Sequence, residues 1–213
     1  MGLLSDDIEQ YINAHTEEED DLLRQLNRET HVRVLKPRML SGGYQGRLLA
    51  MLSRLAKPRR ILEIGTFTGY SALCLCEGLA ADGLLYTIDV NEELESLTRS
   101  FFERSAFNSQ IDYRIGKALE VIPTIDDVFD FVFIDADKSN YSAYFDLVID
   151  RVSSGGLIIA DNVLWDGKVT DPVKPNDKDT RALLTFNEKV HNDNRVRNVL
   201  LPVRDGLMLL EKI

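Results

Sequence analysis

From Arg60 onward the chain alternates short apolar runs with helical segments, and few folds accommodate that rhythm. The runs are Ile61–Ile64, Leu84–Asp89, Ile111–Ile115, Phe129–Asp135 and Gly156–Asp161, each of a strand's length. Strands separated by crossover helices predict an α/β fold, a doubly wound, mostly parallel sheet with helices on both faces. Three of the runs end in aspartate, at Asp89, Asp135 and Asp161. That places three carboxylates at the carboxyl edge of the sheet, where open α/β sheets bind ligands.

The last sixty residues break the rhythm. A helix near Thr180 to Asn192 leads to Val196–Val203, then Asp205-Gly206, then Leu207–Glu211. Asp-Gly between apolar runs signals a tight hairpin, so the final strand is expected to run antiparallel to the rest. Residues 1 to about 57 hold no strand-like run and read as two or three helices, with a break near Lys36-Pro37 and a fresh start at Ser41-Gly42-Gly43. At 213 residues the chain suits one core. The expectation is a helical segment over 1–57 packed on a main domain over 58–213, together one structural unit. Residues 162–176 form an irregular stretch of a length at which loops are often functional, and read as a lid.

Composition narrows the partners. A net charge of -10 argues against a nucleic-acid surface, which needs a clustered basic stripe. No stretch approaches the ~20 apolar residues of a membrane span, and the amino terminus lacks a basic region followed by an apolar run. The compartment these features favour is the cytoplasm. The two cysteines, Cys74 and Cys76, point in different directions on one helix and read as reduced packing residues.

The turn after the first apolar run carries the first chemical signal. Arg60–Ser71 is a strand, an acidic residue, a glycine turn and a helix start. A dinucleotide loop needs glycines at the first, third and sixth positions, but from Gly65 the third is Phe67 and the sixth Tyr70. Glu63 at the strand end would repel a phosphate and suits a ligand with an amine and a sulfonium, as S-adenosylmethionine has. Asp89, at the end of the second run, is placed to accept hydrogen bonds from both hydroxyls of a ribose. It could equally cap the helix that begins near Asn91.

The second signal is oxygen-rich. Phe131–Lys138 ends in Asp135, Asp137 and Lys138, and the next strand ends in Asp161-Asn162. Asp135, Asp161 and Asn162 offer hard oxygen donors without thiolate or imidazole, a set that favours Mg²⁺, Ca²⁺ or Mn²⁺ over zinc. The plainer alternative is that Asp161-Asn162 turns the chain and Asp135 caps a helix. Lys138 could share such a site; a divalent cation nearby disfavours its ammonium form, freeing it to take a substrate proton. Alternatively it is a solvated surface lysine. Trp165 and Tyr141 are candidate aromatic walls, and Met39–Gly43 could lie over a cofactor or merely start a helix with Ser41 as cap. His15, His31 and His191 are scattered, and no Gly-x-Ser-x-Gly nucleophile pattern occurs.

Taken in order and spacing, Glu63-Ile-Gly-Thr-x-Thr-Gly-Tyr-Ser71, Phe133-Ile-Asp-Ala-Asp-Lys-x-x-Tyr141 and Ala160-Asp-Asn-Val163 resemble the cation-dependent O-methyltransferases, the family of caffeoyl-CoA and catechol O-methyltransferases. The similarity runs from about Met39 to the carboxyl terminus, and the chain looks more like the bacterial members. The resemblance implies the class I S-adenosylmethionine-dependent methyltransferase fold, a Rossmann-like seven-strand sheet with an antiparallel last strand. It implies cofactor contacts by Ser41, Glu63, Gly65, Thr66, Ser71, Asp89, Ala118 and Asp137, a divalent cation (Mg²⁺ foremost) on Asp135, Asp161 and Asn162, and Lys138 as base. It also implies a homodimer.

The activity this leads to is cation-dependent methyl transfer from S-adenosylmethionine to one hydroxyl of a vicinal aromatic diol, such as a catechol or a caffeoyl ester. The competing readings are a methyltransferase that works without a metal, a cofactor-binding scaffold that does not turn over and, most remotely, a nicotinamide enzyme.

Overall fold

The structure, a computed structural model, describes residues 5–213. The first four residues, part of the stretch read above for a leader, lie outside the described residues. In chain order the elements are α1 (Asp6–Ala14), α2 (Asp21–Arg33), α3 (Gly42–Ala56), β1 (Arg60–Ile64), α4 (Tyr70–Cys76), β2 (Leu84–Asp89), α5 (Glu95–Arg104), β3 (Ile111–Ile115), α6 (Ala118–Val121), β4 (Phe129–Ile134), α7 (Tyr141–Val148), β5 (Val152–Asp161), α8 (Lys178–His191), β6 (Val196–Leu201) and β7 (Leu207–Lys212). Short 3₁₀ turns join several of them, including Pro37–Met39, Lys138–Asn140 and Trp165–Thr170.

The seven strands form one sheet in the order β3-β2-β1-β4-β5-β7-β6. Strands β1 to β5 pair in parallel, and β7 runs antiparallel to both β5 and β6. The antiparallel last strand is as the Asp205-Gly206 pair implied, although the connection is a five-residue loop, 202–206, rather than a tight turn. The loop is longer because its backbone serves other segments: Val163 and Leu164 donate to the carbonyls of Gly206 and Asp205.

Period-two alternation sorts the strand residues onto two faces. Leu62, Ile64, Val132 and Ile134 pack with Tyr141, Phe145, Leu183 and Phe186 of α7 and α8. Ile61, Phe131 and Phe133 pack on the other side with Leu49 of α3, Leu73 of α4 and Phe101 of α5. Leu23 and Leu26 of α2 join that second cluster, which is how the amino-terminal helices attach to the sheet. Asp20 caps helix α2, its side chain accepting from the Leu23 amide at 2.7 Å, and the last turn carries Arg33, so charge suits the helix dipole at both ends. Helix α1 buries none of its residues.

Strands β1 and β4, at the centre, end together. Asp135 donates its amide to the Ile64 carbonyl at 2.8 Å, and Gly65 donates to Ile88 at 2.9 Å. Gly65 has φ +103, and a Cβ there would lie 1.9 Å from the Asp135 carbonyl oxygen. Only glycine lets the two strand ends approach so closely. Gly65→Ala is expected to lower the thermal midpoint by more than the left-handed penalty of about 1–2 kcal/mol explains, because the clash adds to it. Denaturation of the variant beside Gly155→Ala, where a Cβ meets nothing within 4 Å at φ +78, separates the two contributions.

Candidate active site

The register of β4 with β5 pairs Ile134 with Ala160, so the residues that follow, Asp135 and Asp161, emerge side by side. Asn162 then turns the chain with φ +60, a left-handed conformation that asparagine tolerates. Lys138 opens the 3₁₀ turn beyond Asp135 and folds back into the gap. Its Nζ donates to Asp135 Oδ1 at 3.1 Å, to Asn162 Oδ1 at 2.6 Å and to the Tyr141 hydroxyl at 2.6 Å. The Tyr141 hydroxyl in turn donates a hydrogen bond to the Asp161 carbonyl at 2.9 Å. The Trp165 ring centre lies 5.8 Å from the same nitrogen. Lys138 is only 8% exposed, which sets aside the solvated-lysine alternative.

Asp161 is buried, its carboxylate bonded at one oxygen to the Asn162 amide (2.6 Å) and at the other to Gln45 Nε2 (2.5 Å). Burial pushes its pKa up and the neighbouring Asp135 charge adds to the rise, while Gln45, Lys138 and the Asn162 amide oppose it. Asp135 makes no helix-cap bond; the N-cap position of the 3₁₀ turn is Asp137, whose side chain makes no cap bond. Among the described residues no group of three or more His, Cys, Asp or Glu is arranged to hold an ion. The assembled donors are two carboxylates and an amide oxygen, a set that fits a hard divalent cation and leaves coordination positions for other oxygens.

Gln45 is the residue that sequence reasoning missed. It lies 116 positions from Asp161 and belongs to no motif. Its one signal is position: Gln45, Leu49 and Ser53 recur every four residues on the buried stripe of α3, so a polar side chain sits where the pattern calls for an apolar one.

A second group of candidates gathers round the end of β1. Glu63 exposes no surface; it accepts from Ser71 Oγ at 2.5 Å and from the Thr87 hydroxyl, which in turn lies 2.6 Å from Thr66 Oγ1. Its influence on a cationic ligand would therefore act through these hydroxyls rather than by contact. Burial, the largest cause, pushes its pKa up to about 8. Asp89 accepts from the Phe67 amide at 2.6 Å and the Asn91 amide at 2.8 Å, so it braces the glycine turn from β2, while Asn91 itself caps the following 3₁₀ turn. Ala118 starts α6 and is buried; Asp137 is exposed and held by Asn140 at 2.6 Å and by Tyr144. Neither joins the hydrogen bonds of the others. Ser41 precedes α3, nearly buried, and its side chain makes no cap bond, so the cap reading fails and the hydroxyl is not committed to the helix. A surface hollow lies elsewhere, among Arg59, Arg60, Asp127 and Arg151 at the opposite edge of the sheet, and its arginines are already engaged with carboxylates and carbonyls.

The strand order with one reversed strand and the acidic carboxyl edge are those of the α/β methyltransferase fold that the resemblance implied, and comparisons with known proteins supply the class. The profile of a family described as O-methyltransferase matches residues 13–213. Caffeoyl-CoA O-methyltransferase 1 of Zea mays is 35% identical over 230 aligned residues, spanning 99% of this chain and 86% of its own. Catechol O-methyltransferase domain-containing protein 1 of Mus musculus is 37% identical over 79% of this chain and 66% of its own. Among solved structures, an O-methyltransferase from Bacillus cereus in complex with SAH is 32% identical, covers 97% of both chains and superposes with a TM-score of 0.88. TomG from Streptomyces achromogenes, in complex with SAM, is 30% identical over 97% of this chain and 96% of its own, also at 0.88. The chain belongs to the O-methyltransferase family and is an S-adenosylmethionine-dependent enzyme.

The raised Glu63 pKa has a consequence for stability. A carboxyl whose pKa rises from 4.5 to about 8 on folding keeps its proton in the folded state after the unfolded chain has lost it. Stability therefore falls as pH rises from about 4.5 to about 8 and levels off above. Asp161, also raised, adds to the slope in the same direction. Glu63→Gln is expected to flatten this decline, read as thermal midpoint against pH; an unaltered slope would mean that Glu63 ionises normally.

Proposed function

We propose that this enzyme transfers the methyl group of S-adenosylmethionine to one hydroxyl of a vicinal aromatic diol, a catechol or caffeoyl-type acceptor, with a divalent cation held by Asp135, Asp161 and Asn162. The observation that carries the reading is the convergence of Lys138 Nζ on Asp135 and Asn162, with the Asp161 carboxylate adjoining through the Asn162 amide. When bound, the cation would be chelated by two adjacent oxygens of an acceptor and would polarise the hydroxyl that reacts. Mg²⁺ is the first choice for such oxygen donors.

This chain's residues do the rest. Lys138, in its neutral form, takes the acceptor hydroxyl proton on Nζ; Tyr141 and Asn162 hold that nitrogen in place. Trp165 supplies an aromatic wall beside it. Ser41, Gly65, Thr66, Ser71, Asp89, Ala118 and Asp137 hold the methyl donor, and Glu63 beneath them, protonated in the free enzyme near neutral pH, supplies negative charge once a bound cationic donor favours loss of its proton. Holding the acceptor oxygen near the sulfonium methyl supplies much of the acceleration, since good orientation is worth roughly 7–11 kcal/mol. The relatives named for caffeoyl-CoA and catechol support the acceptor class. The resemblance supports a homodimer, and the cytoplasm suits a chain whose described helices are none long and apolar enough to cross a membrane.

A metal-free route is the second reading, favoured by the direct Lys138 bond to Asp135. Methyl transfer from labelled S-adenosylmethionine to catechols and caffeoyl esters, with Mg²⁺ and with chelator, separates the two. The account expects chelator to abolish product and Asp161→Ala to behave likewise; product that survives both selects the metal-free route. Lys138→Ala is expected to lower kcat by about 10²–10⁴ while leaving S-adenosylhomocysteine affinity nearly unchanged. Wild-type turnover in that variant would remove Lys138 from the mechanism.

A further inference from the structure

The loop between β6 and β7 holds more than a hairpin needs. Arg204 adopts φ +49, a conformation that costs a non-glycine residue and persists where surrounding contacts fix it. Its guanidinium crosses to the amino-terminal segment, where Nη1 donates to the Leu40 carbonyl at 2.9 Å and to the Ser41 carbonyl, and Nη2 lies 3.5 Å from the Arg38 carbonyl. The Leu40 and Ser41 carbonyls fall at the break between the 3₁₀ turn Pro37–Met39 and α3, and Arg38 lies within that turn. The next residue, Asp205, faces the other way. Its carbonyl accepts from Leu164 at 2.8 Å, its side chain accepts from the Asp166 amide, and Gly206 accepts from Val163 at 3.1 Å. Gly206 has φ +90, and a Cβ there would meet Leu164 at 2.5 Å.

One short loop therefore grips both the segment that carries Ser41 and the segment that follows Asn162. A turn beyond Ser41 on the same helix, Gln45 donates to Asp161. A shift of the α3 start would be felt at the proposed cofactor contact and at the carboxylate together.

We infer that Arg204 is a positioning residue for the cofactor site, holding the Leu40–Ser41 backbone so that S-adenosylmethionine binds against a fixed amino-terminal segment. Arg204 acts through the backbone carbonyls it bonds, which no neutral side chain of its length could bridge as a fork of donors. The inference rests on the proposed placing of Ser41 beside the cofactor.

The test uses the full chain and S-adenosylhomocysteine without added metal. Calorimetric titration gives the Kd, and trypsin cleavage after Arg38 reports the segment, Lys36 being protected by the following Pro37. In the wild type the ligand is expected to slow cleavage after Arg38. Arg204→Met should raise the Kd about tenfold and abolish that protection, with Arg204→Lys in between. Wild-type Kd and protection in both variants would overturn the inference. So would an equal loss of thermal midpoint in the two variants with the Kd unmoved, which is the mark of a purely structural bond. If Arg204→Met does not fold, Arg204→Lys decides on the same readouts. Ser41→Ala keeps every carbonyl that Arg204 uses. A wild-type Kd there with a raised Kd in Arg204→Met removes the Ser41 hydroxyl from the cofactor site and leaves the clasp standing.

Discussion

Everything at the site depends on how tightly β1 and β4 close on each other at their carboxyl ends. Gly65 and the Asp135 carbonyl occupy a space in which no side-chain carbon fits, and the Asp135 amide bonds back to Ile64. This contact ends both strands at the same level, so the glycine turn leaves on one side and the Asp135–Lys138 segment on the other. Parallel pairing of β4 with β5 then brings Asp161 beside Asp135. Two carboxylates so placed repel, and burial raises the cost. The structure offsets this with donors: Lys138 to Asp135, Gln45 and the Asn162 amide to Asp161. A divalent cation would offset it further, which is the physical reason for favouring one here.

A parallel arrangement of the same kind surrounds Glu63. A fully buried carboxyl in the centre of the sheet gives up hydration, and two hydroxyls, Ser71 and Thr87, replace part of it. The residue is therefore poised to respond to positive charge above the glycine turn. The two acidic centres, one at the end of β1 and one at the ends of β4 and β5, are the basis of the proposal that a cationic methyl donor and a cation-bound acceptor meet between them.

Much of this was legible because strands impose a short period and an abrupt end. The runs at Leu84–Asp89 and Ile111–Ile115 coincide with β2 and β3, and the seven-strand sheet with one reversed strand is as the resemblance implied. Asp135, Lys138, Asp161 and Asn162 were legible as a cluster because adjacent parallel strands end at one edge. What the sequence did not disclose are bonds between distant segments. Gln45 and Arg204 reach partners more than a hundred residues away, from positions with no local motif, and nothing in the spacing of α3 or of the last hairpin names those partners. The five-residue loop in place of a tight turn has the same cause, because its carbonyls serve Val163 and Leu164. Local pattern reports local geometry; long-range hydrogen bonds depend on the assembled fold.

The central claim is that the carboxyl edge of β4 and β5 is a cation site that Lys138 shares with the acceptor. Its most direct test is a crystal grown with S-adenosylhomocysteine and Mn²⁺, read by anomalous scattering at the manganese edge. The account predicts one strong peak ligated by oxygens of Asp135, Asp161 and Asn162. A map with no peak there, and Lys138 still bonded to both Asp135 and Asn162, would contradict it.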